Sequence, residues 1–361
     1  MLYYLSQILK NYVSGFNIVR YITFRSAYAL LTALFLSFIF GPKVINFLRK
    51  IKFSHIRDYV PASHKKKIGT PSMGGVLIIG SILISVLLWG NLSNRLLVLS
   101  LIVLTYLGIV GFVDDYLKIK RENSKGVIAR YKLFFQAMLG LTVGIYLYFY
   151  PMDPSLRNCL TIPFVKNIYI DMGLLYIPFV MLVIMAASNA VNLADGLDGL
   201  AIGNTGIAFL AYGGLAYLTG NIKYADYLYI PFIKGTGELT VFAIAIVGAS
   251  LGFLWYNAHP AQIFMGDVGS LALGVALGLL AVLLKKELLL IIIGGVFVIE
   301  ALSVIIQVAY FKITGGKRFY LMAPIHHHFE KKGLDEVKVT IRFWIVGIMF
   351  ALIGLSTLKI R

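Results

Sequence analysis

Residues 96–115 read LLVLSLIVLTYLGIVGFVDD: an uncharged apolar run that ends in two adjacent carboxylates, Asp114 and Asp115. A helix needs about 20 apolar residues to cross the hydrocarbon core of a bilayer. The run therefore predicts a membrane span that delivers two acids to one surface. Runs of the same order recur at 24–41, 72–90, 96–114, 133–150, 172–190, 199–219, 238–256, 268–284, 288–311 and 341–358, ten in all. Strands of a membrane barrel would alternate apolar and polar residues, and stretches such as 78–88 and 288–293 do not. A helix satisfies its own backbone in lipid. Composition agrees: 59% of the 361 residues are hydrophobic, 14% are charged, and the mean hydropathy is +0.84. A soluble domain would need far more charged surface. The expected fold is an all-α integral membrane protein, a polytopic bundle of ten spans.

Orientation follows from the basic residues. An even number of spans puts both termini on one side. The opposite side, span ends included, holds 21 of the 33 Lys and Arg residues. That side is expected to be cytoplasmic, with the termini outside. The net charge of +17 is spread over loops between spans, which fits the positive-inside bias and attraction to anionic headgroups or substrate rather than nucleic acid. Leu2, Leu5, Leu9, Tyr12 and Phe16 recur at helical spacing, so residues 1–22 are expected to form an amphipathic helix at the outer interface, not a signal peptide. The outer loop 151–171 carries Pro151, Pro154 and Pro163, with Thr161-Ile162 and Ile168-Tyr169-Ile170 as candidate strands of a periplasmic hairpin. A single cysteine, Cys159, excludes an intrachain disulfide. Residues 1–361 are expected to form one domain, with the bundle over 24–358.

Four polar clusters fall on the predicted cytoplasmic side. Successive helical residues point about 100° apart, so Asp114 and Asp115 are expected to take different jobs, one facing the bundle and a metal, the other a neighbouring Lys. Carboxylates at a helix C-terminus oppose its dipole, and Lys118 or a divalent cation would balance them. Between 189 and 198 lie Asn189, Asn192, Asp195 and Asp198, with Gly196 and Gly199 permitting a tight turn. Asp195 and Asp198 would align if the turn is helical. Asp198 could equally cap the next span. Asn257 and Asp267 bound the next cluster. Asp267 opens an apolar run, so it reads as an N-cap or as a hard-oxygen ligand for Mg²⁺. Phe264 reads as an interfacial anchor or as a face on which a planar base stacks.

His326-His327-His328 follows Pro324. Adjacent residues do not readily aim at one ion, and imidazoles amid Lys317, Arg318 and Lys331 suit a pyrophosphate better than zinc. Lys67 precedes the second span, where charge bias alone could explain it. Glu300 lies mid-span with Ser303 and Gln307 on a similar face, either as a functional acid or as a protonated or hydrogen-bonded structural one.

The segments TPSMGG (70–75), GFVDDYLK (111–118), NAVNLADGLDGLA (189–201), FMGDVGSLALG (264–274) and PIHHHFE (324–330), in this order, resemble the polyprenyl-phosphate N-acetylhexosamine-1-phosphate transferases over essentially the whole chain. The branch acting on the muramoyl pentapeptide is the nearest match, helped by the unbroken His triplet. Ala194 stands where the family usually has Thr. The resemblance implies Mg²⁺-dependent transfer of phospho-MurNAc-pentapeptide from UDP-MurNAc-pentapeptide to undecaprenyl phosphate, giving lipid I and UMP at the bacterial inner membrane. It further implies a homodimer, with Asp267 as principal Mg²⁺ ligand and Asp114 as base or nucleophile beside Asp115. Lys67, Asn192, Asp195, Asp198, Asn257 and Phe264 would line the nucleotide and metal pocket, Asn189 would join the substrate-binding set, and His326, His327 and His328 would face the diphosphate and sugar. A UDP-N-acetylglucosamine branch is the rival within the family. A secondary transporter, which would concentrate polar residues at mid-membrane, is the rival outside it.

Overall fold

The structure is a computed structural model that describes residues 1–10, 12–51, 69–121, 126–165 and 169–358. It is a helical bundle. Helices α1 (Leu2–Leu9), α2 (Ile22–Lys50), α3 (Gly75–Trp89), α4 (Arg95–Lys120) and α5 (Ala129–Phe149) precede a hairpin of β1 (Cys159–Thr161) and β2 (Tyr169–Asp171). Then come α6 (Tyr176–Ala194), α7 (Leu200–Thr219), α8 (Ile222–Tyr227), α9 (Gly237–Asn257), α10 (Gly266–Leu283), α11 (Glu287–Ile293), α12 (Gly295–Ile313), α13 (Ile325–Lys331) and α14 (Glu336–Ser356). Among the described residues, nine helical segments are long and apolar enough to cross a membrane, and α3 is a shorter apolar helix. The ten runs read from sequence correspond to these. The chain is a multi-pass membrane protein.

At the centre stands α10, buried at every position from Asp267 to Leu283. It packs on α4 and α6, and also on α3 and α7. Small residues make this approach close, as in helix pairs within lipid. At Gly111 on α4, a Cβ would overlap the backbone carbonyl of Asp267. This glycine lets the end of α4 press its two carboxylates against the start of α10. Around the core, α9 packs against α2 and α7, while α5 lies outside α6.

Four elements differ from the sequence reading. Span two is shortened to 75–89 because the residues before it pair with another segment: Phe264 N donates to Pro71 O at 2.8 Å, and Gly74 N to Phe264 O at 2.8 Å. The ninth run is two helices, broken at Gly294, where adjacent glycines weaken the helix. The N-terminal helix ends at Leu9, and a 3₁₀ turn over Ser14–Arg20 follows. Its start is held at the last turn of α3, where the terminal ammonium donates to Leu87 O and Leu88 O. The hairpin's first strand begins two residues earlier than expected and ends at Thr161, pairing Cys159 with Asp171 and Thr161 with Tyr169; Ile168 lies outside the described residues.

Arg25 and Glu238 join α2 to the first turn of α9. Both guanidinium nitrogens donate to the carboxylate at 2.6 Å, and Arg25 is only 2% exposed. Glu238 also accepts from Asn91 N at 3.2 Å. A buried charge stripped of its partner costs about 3–5 kcal/mol. Glu238→Ala should therefore lower the thermal midpoint in detergent markedly. An unchanged midpoint would show that this pair contributes nothing to the fold.

Candidate active site

The last turns of α4 and the first turn of α10 place Asp114, Asp115 and Asp267 side by side. Each is buried, and each offers an oxygen such that the three atoms lie within 4.8 Å of one another. Three carboxylates this close repel strongly, and two lysines answer them. Lys118 Nζ lies 2.6 Å from Asp114 Oδ2, 3.0 Å from Asp115 Oδ1 and 2.9 Å from Asp267 Oδ2. Lys132 Nζ, from the first turn of α5, lies 2.8 Å from Asp267 Oδ2 and 3.1 Å from Asp114 Oδ2. Counted by formal charge, three carboxylates against two ammoniums leave one negative charge in excess.

Asp114 and Asp115 thus do not divide into a bundle-facing acid and a lysine-holding one. Both reach Lys118, because positions three and four apart share a helix face. Their other oxygens differ: Val127 N donates to Asp114 Oδ1 at 2.6 Å, and Val268 N to Asp115 Oδ2 at 3.2 Å. Asp267 sits one residue inside α10, whose N-cap is Met265, so it is not the cap. A carboxylate in the first turn is nonetheless favoured by the helix dipole. Asn192 Nδ2 donates to Asp267 Oδ1 at 2.7 Å and to Ser270 Oγ at 2.8 Å, which fixes the carboxylate's plane.

The polar stretch after Asn192 is a turn rather than a helix. α6 stops at Ala194 and Gly199 adopts φ +74°, so Asp195 and Asp198 are not aligned by a helical turn. Asp195 is half-buried at the end of α6. Asp198 does not cap α7, whose N-cap is Gly199 and which has no side-chain cap. Its Oδ2 instead lies 3.1 Å from His259 Nδ1 and accepts from Ala261 N at 3.1 Å. Glu336 accepts from Asp198 N at 2.9 Å. Asp198, His259 and Glu336 form a second group with ligand atoms close enough for a metal ion.

Other expected site residues are held by protein partners. Asn257 accepts from Gly199 N at 3.0 Å and donates to Ile263 O at 2.8 Å, bracing the turn against the 258–263 loop. Asn189 donates to Gln136 Oε1 at 2.7 Å and to Met185 O at 2.8 Å. Phe264 is half-buried in the segment that pairs with residues 71–74. Lys67 lies outside the described residues.

The three histidines engage three different partners through Nδ1. His326 is buried against Glu300 Oε2 at 3.0 Å, His327 meets Glu330 Oε2 at 2.7 Å, and His328 accepts from Leu321 N at 3.1 Å. Burial, with Lys332 nearby, lowers the pKa of His328 and favours its neutral form.

Sequence reasoning missed Lys132, Glu336 and the pairing of Glu300 with His326. Lys132 had a readable signal, since a lysine in the first turn of a helix opposes the dipole, as Asp114 and Asp115 do at the other pole. The Glu336 and Glu300 contacts join positions far apart in the chain and had none.

The glycosyl transferase family 4 profile matches residues 96–285, which include α4 and α10 and therefore all three clustered acids. Similarity extends over the full length of curated relatives named phospho-N-acetylmuramoyl-pentapeptide-transferase. The protein from Thermodesulfovibrio yellowstonii is 54% identical over 362 residues, covering all of both chains. Those from Brachyspira hyodysenteriae and Solidesulfovibrio magneticus are 51% and 53% identical, again over the whole of each. The chain belongs to the phospho-N-acetylmuramoyl-pentapeptide-transferase family. Membership makes it a phospho-sugar transferase of the membrane, and the transporter reading falls. Phosphoryl transfer asks for positioning and charge neutralisation more than for covalent chemistry. A buried group of carboxylates and ammoniums at one end of a bundle suits that demand, and its hard oxygen donors suit a divalent cation.

Proposed function

We propose that the chain transfers phospho-MurNAc-pentapeptide from UDP-MurNAc-pentapeptide to undecaprenyl phosphate, giving lipid I and UMP. The reaction takes place at the cytoplasmic face of the bacterial inner membrane, with both termini outside, in a homodimer. The observation that carries this reading is the three-acid, two-lysine cluster of α4, α5 and α10 in a full-length relative of such transferases.

Mg²⁺ fits the donor set, because it takes one or two carboxylates and leaves room for phosphate oxygens. Asp267 would hold it, with Asp114 and Asp115 adjacent. When bound, the ion supplies charge neutralisation for the diphosphate and for the departing UMP. The remaining work belongs to side chains. An oxygen of the lipid phosphate attacks the β-phosphorus, the bond from that phosphorus to the bridging oxygen breaks, and the bridging oxygen leaves on UMP. Asp114 accepts the last proton of the lipid phosphate where it is still present. Lys118 and Lys132 hold phosphoryl oxygens, and Asn192 keeps Asp267 in its plane. Lys67, Asn189, Asp195, Asp198, Asn257 and Phe264 serve the nucleotide side, the amides largely by holding the loops. His327 and His328 serve the diphosphate and sugar side, with His326 supporting that side from its buried place against Glu300.

UMP release by purified protein, measured with and without Mg²⁺, tests the reading. UDP-MurNAc-pentapeptide should be turned over only with the ion, and UDP-N-acetylglucosamine should not be used. Preference for the second sugar would move the chain to the other branch. Trapping a phosphoglycosyl-Asp114 intermediate would replace direct attack by double displacement. His327→Ala should raise KM for the UDP substrate by about tenfold or more, the usual worth of a hydrogen bond to a charged group. A normal KM would remove the triplet from the site.

A further inference from the structure

α12 carries Glu300 with none of its surface exposed. Its Oε2 lies 3.0 Å from Nδ1 of His326 on α13, and His326 is 1% exposed. Glu300 Oε1 and His326 Nε2 are buried and make no hydrogen bond among the described residues. The far edge of the imidazole meets Gly196: a Cβ there would lie 2.8 Å from His326 Cε1 and would overlap Nε2. Gly196 does not occupy the left-handed region. A glycine stands here because the ring occupies the space a side chain would need.

We propose that Glu300 is a positioning residue for the transfer reaction, acting through His326 on the 195–199 turn that carries Asp195 and Asp198. With Glu300 Oε2 accepting a hydrogen bond from His326 Nδ1–H, Nε2 of the neutral ring is left as a lone pair. That lone pair faces the Cα–H of Gly196, a weak but favourable contact. The opposite tautomer would bury an N–H against carbon with no acceptor, which is costly. Carboxylate partners commonly fix imidazole tautomer and orientation in this way. The far end of the same turn is clamped by Asn257 Oδ1, which accepts from Gly199 N at 3.0 Å, and by Trp344 Nε1, which donates to Gly199 O at 3.1 Å. At its start the turn rests on the His326 ring. The inference depends on the reading above that Asp195 and Asp198 serve the nucleotide side.

Full-length protein in detergent tests it through UMP affinity by calorimetry and through KM and kcat for the UDP substrate. Glu300→Leu should weaken UMP binding and raise KM by about tenfold, the lower end for loss of an orienting outer partner, with a smaller fall in kcat. Glu300→Gln keeps an acceptor for Nδ1–H and should restore both to near wild type. UMP affinity and KM at wild-type values in Glu300→Leu, whatever its thermal midpoint, would overturn the proposal. Should Glu300→Leu not fold, Gly196→Ala approaches the same contact from the turn. It should lower UMP affinity by a similar factor, and wild-type affinity would overturn the idea. Wild-type protein that releases no UMP would instead sink the transferase reading, and the UMP titrations would still report on Glu300.

Discussion

Asp267→Ala should abolish Mg²⁺-dependent UMP release, by at least about a thousandfold, while the protein remains folded and extractable. The loss follows from where the residue sits: its two oxygens meet Lys118, Lys132 and Asn192, so it ties α4, α5 and α6 to the head of α10. Removing one preorganised group aimed at developing charge costs on the order of a hundred- to a thousandfold, and loss of a metal ligand adds to it. Survival of the fold follows from the charge count. With Asp267 gone, Asp114 and Asp115 face Lys118 and Lys132, and the group becomes neutral. Asn192 keeps Ser270 Oγ as a partner. Turnover and thermal midpoint, measured on the same preparation with and without Mg²⁺, check both halves. Retained Mg²⁺-dependent turnover would remove Asp267 from the metal site.

Lys132→Ala should behave in the opposite electrostatic sense. It leaves three carboxylates with one ammonium, so the cluster gains a second uncompensated negative charge. At an effective dielectric of about 20, two like charges roughly 4 Å apart repel by about 4 kcal/mol. The variant should lose thermal stability without divalent cation and regain more of it than wild type when Mg²⁺ is added. Half-maximal activity should need less Mg²⁺, because the cation meets a more negative site. Turnover should still fall by about a hundredfold, as for loss of one charged group that stabilises the transferred phosphoryl. A titration of UMP release and thermal midpoint against Mg²⁺ reads all three effects. Unchanged turnover would make Lys132 a structural counter-charge only.

Much of the architecture could be read from the chain. Runs such as 96–114 and 268–284 are apolar for as long as a membrane is thick, and only a helix satisfies such a backbone in lipid. Where the reading slipped, a long-range backbone pairing in one case and a helix break in the other overrode length. The run at 72–90 loses its first residues to the 264–265 segment, and the run at 288–311 breaks at paired glycines. The acids were also readable, since Asp114, Asp115 and Asp267 interrupt apolar runs at their ends.

Hydrophobic length and charge placement are local properties, so a multi-span helical bundle and the acids at its helix ends were legible from the residues alone. Tertiary structure alone decided that α4 and α10 meet through Gly111, that Lys132 completes the acid cluster, and that Glu300 holds His326 beneath Gly196. Those contacts join residues 18 to 135 positions apart or more, as between Lys132 and Asp114 or Asp267. Such pairings depend on how helices pack, and packing is set by the summed shape of many side chains rather than by any one segment.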